Sequence, residues 1–280
     1  MNRVLSTHLF VNHRLTVAML DRIQRARIPA VEVFCARQHL DYRNSAQVNE
    51  LGHWFRDSEL KLHSLHSPMF TDEIWGRSGP QSVITITEPV RSKRFPMVDE
   101  IKRAIEVAEI VPFRYLIQHI GVGGEEFEEG KLDAAFSALE ELSIFARQRG
   151  VEILLENIPN DLSSAERLMY FVGVTHLDLK FVFDTGHANL RGSAAGEFEI
   201  MKERVRSTHV HDNDGTSDSH LFPLVAEGGT IEWKQMMSAF RSREDQYPLL
   251  LELKDPAGAG NLLDKANEVF DRLESLRNDE

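Results

Sequence analysis

Cysteine occurs once among the 280 residues, at Cys35, which excludes an intramolecular disulfide and fits a reducing, cytoplasmic setting. Inside Val31-Glu32-Val33-Phe34-Cys35 the thiol reads as a small buried hydrophobe rather than a nucleophile. Long apolar runs are missing too. No stretch approaches the length of a membrane span, and residues 1–10 turn polar at Ser6, Thr7 and His8, so neither a membrane helix nor a signal peptide is expected. Positive charge is in deficit: 32 Lys and Arg stand against 44 Asp and Glu, a net charge of −12, which removes any general attraction to nucleic acid or anionic membrane. A Gly-rich phosphate loop near the start is also absent. Gly121-Val122-Gly123-Gly124 comes late and lacks the dinucleotide-binding spacing, which weighs against a doubly wound sheet.

What is present is a regular alternation. With 42% hydrophobic and 27% charged side chains, the chain is long enough to bury a sizeable core. Short apolar runs at residues 4–10, 31–35, 60–66, 115–119, 151–156, 179–184, 205–211 and 249–253 read as strands. Helical patterns at 15–27, 46–57, 98–109, 132–149, 164–172, 198–204, 231–241 and 262–276 follow them in turn. The unit recurs roughly every thirty residues, the size of a strand with its crossover helix. The chain is therefore expected to form one α/β domain over residues 1–280, a (β/α)8 TIM barrel with its active site at the C-terminal ends of the strands. Residues 68–96 break the rhythm as an elaborated loop after the third strand, long enough to cover a site. Its basic end, Arg91, Lys93 and Arg94, either meets an anionic group on a substrate or belongs to a solvated loop with a small hairpin. The polar tail, residues 277–280, is expected to fray.

The reactive side chains fall where such a barrel needs them. Residues 208–220 put three imidazoles and three carboxylates into thirteen positions. On a strand, residues two apart share a face, so His209 and His211 point together, and Asp218 and His220 lie within reach from the following loop. Other strands end in His66, in His119, in Glu156-Asn157, in Asp184-Thr185-Gly186-His187 and in Glu252. One such residue alone caps a helix or satisfies a carbonyl. Glu156 and Glu252 are different, because each sits inside an apolar run where a lone carboxylate is costly to bury without a compensating cation. Glu156, Asp184 and Glu252 with one imidazole form a mostly oxygen donor set suited to Mn2+, Mg2+, Co2+ or catalytic Zn2+.

These residues resemble the xylose-isomerase-like barrel superfamily, which groups sugar isomerases and epimerases with the abasic-site endonucleases of family 2. The resemblance runs from Val31-Glu32-Val33-Phe34 to Leu251-Glu252-Leu253 and is most specific at His66-Ser67-Pro68, Leu155-Glu156-Asn157, Asp184-Thr185-Gly186-His187 and His209-Val210-His211-Asp212-Asn213. It implies a core metal held by Glu156, Asp184, His209 and Glu252, with His209 preferred to His211 as the imidazole ligand. His66, His119, His187, Asp218 and His220 match positions that hold two further zinc ions in the nuclease branch. Where the family often has Pro-x-Gly-Glu-Gly, this chain reads Pro223-Leu224-Val225-Ala226-Glu227-Gly228-Gly229; that loop shapes the pocket, so the resemblance does not fix the substrate. The implied activity is a divalent-metal-dependent sugar isomerase or epimerase acting beside the carbonyl of a ketose or related polyol. In it Glu156 and Glu252 are general base and acid, His187 and His211 hold substrate hydroxyls and orient ligands, and His66, His119 and Trp75 line the pocket. The alternatives are a multi-zinc phosphodiesterase and a keto-sugar or keto-inositol dehydratase. The expected partner is a small carbohydrate rather than nucleic acid or membrane, and a homo-oligomer is left open.

Overall fold

A computed structural model describes residues 1–77, 79–254 and 260–276. Eight parallel strands, β1 (Arg3–Ser6), β2 (Ala30–Phe34), β3 (Lys61–His66), β4 (Tyr115–His119), β5 (Glu152–Glu156), β6 (Lys180–Asp184), β7 (Val205–His209) and β8 (Leu249–Leu251), form a sheet in the order β7-β6-β5-β4-β3-β2-β1-β8. The ends meet where the Val210 amide donates to the Leu250 carbonyl (2.8 Å) and the Glu252 amide to the Val210 carbonyl (3.2 Å), giving a nearly closed (β/α)8 TIM barrel. Helices α1 (Val17–Arg25), α2 (Ser45–Asp57), α3 (Arg91–Glu106), α4 (Glu129–Arg147), α5 (Ala165–Val174), α6 (Thr185–Asn189), α7 (Ala194–Met201), α8 (Trp233–Arg241) and α9 (Leu262–Ser275) lie between and after the strands. Several start where a short polar side chain satisfies a free backbone N–H: Thr16, Asn44 and Ser164 each accept from the first turn that follows.

The two-residue period of a strand divides the core in two. Leu116, Ile153, Leu155, Phe181 and Phe183 face outward into the large apolar layer beneath the helices. Their neighbours Tyr115, Ile117, Leu154 and Val182 face inward and form a separate apolar plug. Continuing the same inward row one step toward the C-terminal rim arrives at His119, Glu156 and Asp184. Across the barrel the interior is polar instead, with Ser6, Glu32, Ser64 and His209 all fully buried. A register shift between Val31 and Glu32 in the β2–β3 pairing accompanies the turn of Glu32 toward Ser64.

Three expectations are corrected. The first strand stops at Ser6, whose hydroxyl caps a single 3-10 turn, Thr7–Phe10. The loop after β3 ends earlier than residue 96, because α3 begins at Arg91 and runs through Pro96, a residue read in the sequence as a boundary. Arg91 and Lys93 are exposed on that first turn and Arg94 donates to the Glu88 and Pro89 carbonyls, so this basic run lies at the surface of the helix. The expected hairpin in this region reduces to one antiparallel bridge, Phe70 with Val83. The tail at 277–280 lies outside the described residues. Among the described residues no helix is long and apolar enough to cross a membrane.

Candidate metal centre

Glu156 is the hub. Its Oε1 lies 3.0 Å from Nδ1 of His209 and 3.4 Å from Nδ1 of His187, and its Oε2 lies 3.1 Å from Nε2 of His119 and 3.6 Å from Nε2 of His66. His209 Nδ1 also meets Glu252 Oε2 at 3.1 Å and Asp184 Oδ2 at 4.0 Å. Glu156, Asp184, His209 and Glu252 are all buried, and one donor atom from each lies within 4.8 Å of the others. Two further groups meet the same criterion: His66, His119 and Glu156 on one side, and His187, His211, Asp218 and His220 on the other. Every candidate ligand named from the sequence is thus brought to one rim, from strands and loops far apart in the chain.

The imidazoles are oriented as ligands. A carbonyl or carboxylate only accepts, so the partner of one ring nitrogen decides which nitrogen is left with a lone pair. His66 Nδ1 donates to the Ser67 carbonyl (2.9 Å), His187 Nδ1 to the Asn157 carbonyl (2.9 Å) and His220 Nδ1 to the Glu252 carbonyl (2.9 Å). Each leaves Nε2 directed at the site. His209 is turned the other way: Nε2 donates to Glu32, 3.1 and 3.2 Å from its two oxygens, which leaves Nδ1 for the central group. Such outer hydrogen bonds are what fix the tautomer and aim of metal-ligating histidines. His211 is fully buried, its Nε2 sits 3.0 Å from Asp184 Oδ2 and it is not among the residues lining the cavity, so the expected contact with a substrate hydroxyl gives way to one with Asp184. Gly186 permits this, since a Cβ there would lie 2.0 Å from the His211 ring.

Electrostatics agree with the geometry. Burial disfavours charge on Glu156 and Glu252, yet His209 and its imidazole neighbours hold both carboxyls well below the usual carboxylate range. Burial likewise opposes a charge on His209, and Glu156, Glu252 and Glu32 overcome it to hold the imidazole well above its ordinary value. The cluster therefore demands positive charge at its centre, and a divalent ion supplies that while releasing the imidazole to act as a neutral ligand. On the chemistry of the donor set, the residues fit a metal.

Supporting side chains complete the site. Asn157 stitches β5 to β6, donating to the Asp184 carbonyl (2.9 Å) and accepting from the Asp184 amide (2.8 Å). Asp184 Oδ1 caps α6 by accepting from the His187 amide at 2.6 Å, so one carboxylate both starts a helix and faces the centre. Asp212 turns away and clamps the following loop, accepting from the Thr230 and Ile231 amides and, at 2.6 Å, from Trp233 Nε1. His220 holds a left-handed backbone (φ 47°) and stacks on His211 with ring centroids 3.8 Å apart, a strained conformation kept by its surroundings.

Above the cluster is a cavity of about 160 Å3. Glu156, His187 and Glu252 are among its polar walls, while Phe34, Met69 and Trp75 supply an apolar one. Trp75 and Met69 come from the long loop after β3, and Trp75 stands edge-on to Phe34 with centroids 5.0 Å apart. Sequence reasoning missed His8, Glu32, Phe34, Met69 and Lys254. Glu32 carried the same signal as Glu156 and Glu252, a carboxylate inside an apolar strand. His8 lay in what was read as continuing strand. Cys35 is buried, and burial pushes its thiol up, which suits a core residue.

This site on this barrel has relatives. The family model described as xylose isomerase-like TIM barrel matches residues 20–277, and the chain belongs to that family. An uncharacterized protein of Methanocaldococcus jannaschii, MJ1311, is 29% identical over 235 residues, covering 80% of this chain and 74% of its own. Among solved structures, a D-tagatose 3-epimerase-like protein superposes with a TM-score of 0.75 at 23% identity, covering 98% of this chain and 96% of that one. The IOLI protein, in a structure with a bound zinc atom, gives a TM-score of 0.77 at 16% identity, covering 98% of each. The 3-keto-D-glucoside 4-epimerase of E. coli gives 0.76 at 13%, covering 98% of this chain and 99% of that one. At these identities the structural likenesses establish the fold.

Proposed function

We propose that the protein is a divalent-metal-dependent isomerase or epimerase of a ketose or related polyhydroxy carbonyl compound. The observation that supports this above others is the convergence of Glu156, Asp184, His209 and Glu252, with the His209 tautomer set by Glu32, under a cavity of small-molecule size. A divalent ion held by those four residues would supply Lewis-acid chemistry, lowering the cost of the negative charge that develops when a carbon beside a carbonyl loses its proton. Glu156 on β5 and Glu252 after β8 both line the cavity and stay ionised, as bases must. One removes the proton and the other returns one from a different side. Glu252 is the better placed to begin, since among the described ion pairs it meets one imidazole, His209, whereas Glu156 meets His209, His187, His119 and His66. His187, beside Glu156 and Asp218, is positioned to orient a substrate hydroxyl. Phe34 and Trp75 flank the carbon skeleton and exclude water from it.

The test is elemental analysis of the purified protein and of Glu252→Gln, followed by product analysis with a panel of ketoses. About one ion per chain in the wild type, depleted in the variant, with an epimeric or isomeric ketose as product, is the expected result. A wild-type protein that retains no divalent metal after reconstitution would overturn it. A second reading, a multi-zinc phosphodiesterase, is favoured by one specific observation, the two further ligand groups around His66 and His220. Close to three zinc ions with cleavage at abasic DNA would select it. The net charge of −12 weighs against it.

A further inference from the structure

We propose that the substrate carries an anionic substituent, a phosphate ester or a carboxylate, seated between Lys254 and His8 at the β8–β1 sector of the cavity. This rests on the isomerase reading and deepens it. Strands β1 and β8 are paired in parallel, with Leu5 opposite Leu251. The residues that follow them, His8 and Lys254, are therefore brought to one sector of the rim, and both line the cavity. Lys254 is the one Lys or Arg among the described residues lining it, and its ammonium has no carboxylate partner among the described ion pairs.

His8 is the second, independent observation. It is 7% exposed, yet its ring makes no hydrogen bond to the described residues, and Nδ1 is buried without a partner. A buried polar atom left without a partner is costly, so this wall of the cavity has hydrogen-bonding capacity that the described residues do not use. The ring is held by its surroundings, 4.9 Å from the Phe34 centroid and 5.0 Å from that of His220. The carboxylates of the centre repel an anion. The unpartnered imidazole beside one flexible ammonium, two residues beyond Glu252, is where an anionic group escapes that repulsion while the carbonyl end reaches Glu252. The basic run Arg91, Lys93 and Arg94 does not line this cavity.

The experiment is calorimetric titration of the metal-loaded protein with D-fructose, D-fructose 6-phosphate, D-fructuronate and inorganic phosphate, repeated with Lys254→Met, Lys254→Arg and His8→Phe. A charged ketose binding about tenfold or more tighter than fructose, with the preference abolished in Lys254→Met, reduced in His8→Phe and retained in Lys254→Arg, is the expected result. Whether the phosphorylated or the carboxylated ketose is preferred identifies the source of the anion. A preference unchanged in Lys254→Met, inorganic phosphate binding equally to both proteins, or fructose binding as tightly as its charged relatives would overturn the subsite and leave the isomerase reading standing. Metal retained but no ketose bound or converted would overturn that reading and the subsite with it.

Discussion

The barrel has a cavity at each mouth, and the larger one is lined by fewer side chains that could hold a metal. At the N-terminal mouth about 590 Å3 is enclosed among residues that include Arg3, Lys61, Arg114, Arg206 and Glu244. Its charged groups are mostly engaged elsewhere: Arg3 pairs with Asp271 and Glu274, Arg206 donates to the Glu203 and Val205 carbonyls, and Arg114 lies over the Tyr115 ring. His63, the one histidine there, is pushed down to about 4 chiefly by burial and stays neutral. At the C-terminal mouth only about 160 Å3 is open, but three groups of metal-ligand side chains converge beneath it. Volume is a by-product of how loops leave the strands. A candidate site needs buried polar groups whose remaining bonding capacity points at one spot, and among the described residues the metal-ligand groups gather at the C-terminal rim.

The sharpest way to break this contrast is at the centre. Glu156→Gln and Glu252→Gln should each lower kcat by about 10²–10⁴-fold and deplete the metal, read by steady-state kinetics beside elemental analysis. Arg114→Met at the opposite mouth should change neither. Retained turnover in both Gln variants would remove the C-terminal rim from the chemistry.

Acid should reach the fold through the buried neutral histidines. His39 is fully buried between Thr7 Oγ1 (2.9 Å) and the His13 carbonyl (2.6 Å), and burial pushes it down to about 4. Its folded pKa is below the unfolded value near 6.5, so the unfolded chain binds more protons between them. The stabilisation is fully present above about pH 6.5 and is lost as pH falls toward 4, up to about 3 kcal/mol by then. Urea unfolding of wild type and His39→Asn at pH 7 and pH 4.5 checks this: the variant should be the less pH-dependent of the two.

Glu32 sharpens the comparison from inside the barrel, because it acts on the rim without lining the cavity. Glu32→Gln keeps the shape but weakens the hold on the His209 tautomer, so metal affinity should fall about 10–100-fold while thermal unfolding of the metal-free protein changes little. Competition with a chelator measures it, and unchanged affinity would make Glu32 a packing residue. The smallest effect is expected at Trp75. Trp75→Ala opens one wall of the cavity and should raise KM more than it lowers kcat, read from kinetics on whichever ketose is turned over.

Much of this was legible in one dimension. Alternation of apolar runs at a two-residue and a 3.6-residue period is a local property, so the eight strands and their order could be read without a structure, as could the rule that their carboxyl ends carry the site. For a related reason Glu156 and Glu252 announced themselves, since a carboxylate within an apolar strand contradicts its surroundings; Asp184 was marked by its place at a strand end, and His209 was preferred to His211 through the family resemblance. Boundaries were less legible. Pro96 reads as a stop but sits inside α3, and His8 reads as strand but leaves it on a turn capped by Ser6.

What the chain alone determined is therefore the barrel, the rim where the candidate site lies, and the donor types gathered there. What only the tertiary structure decided is how those donors are aimed. Glu32 and His209 are 177 residues apart, and no local period links them. Which nitrogen of each imidazole is left for a metal depends on a carbonyl or carboxylate brought up by another segment. Whether Trp75 covers the cavity, or Lys254 and His8 share a sector, depends on how loops pack and on the pairing that closes β8 against β1. Those are contacts between distant residues, and they exist only once the sheet has come round on itself.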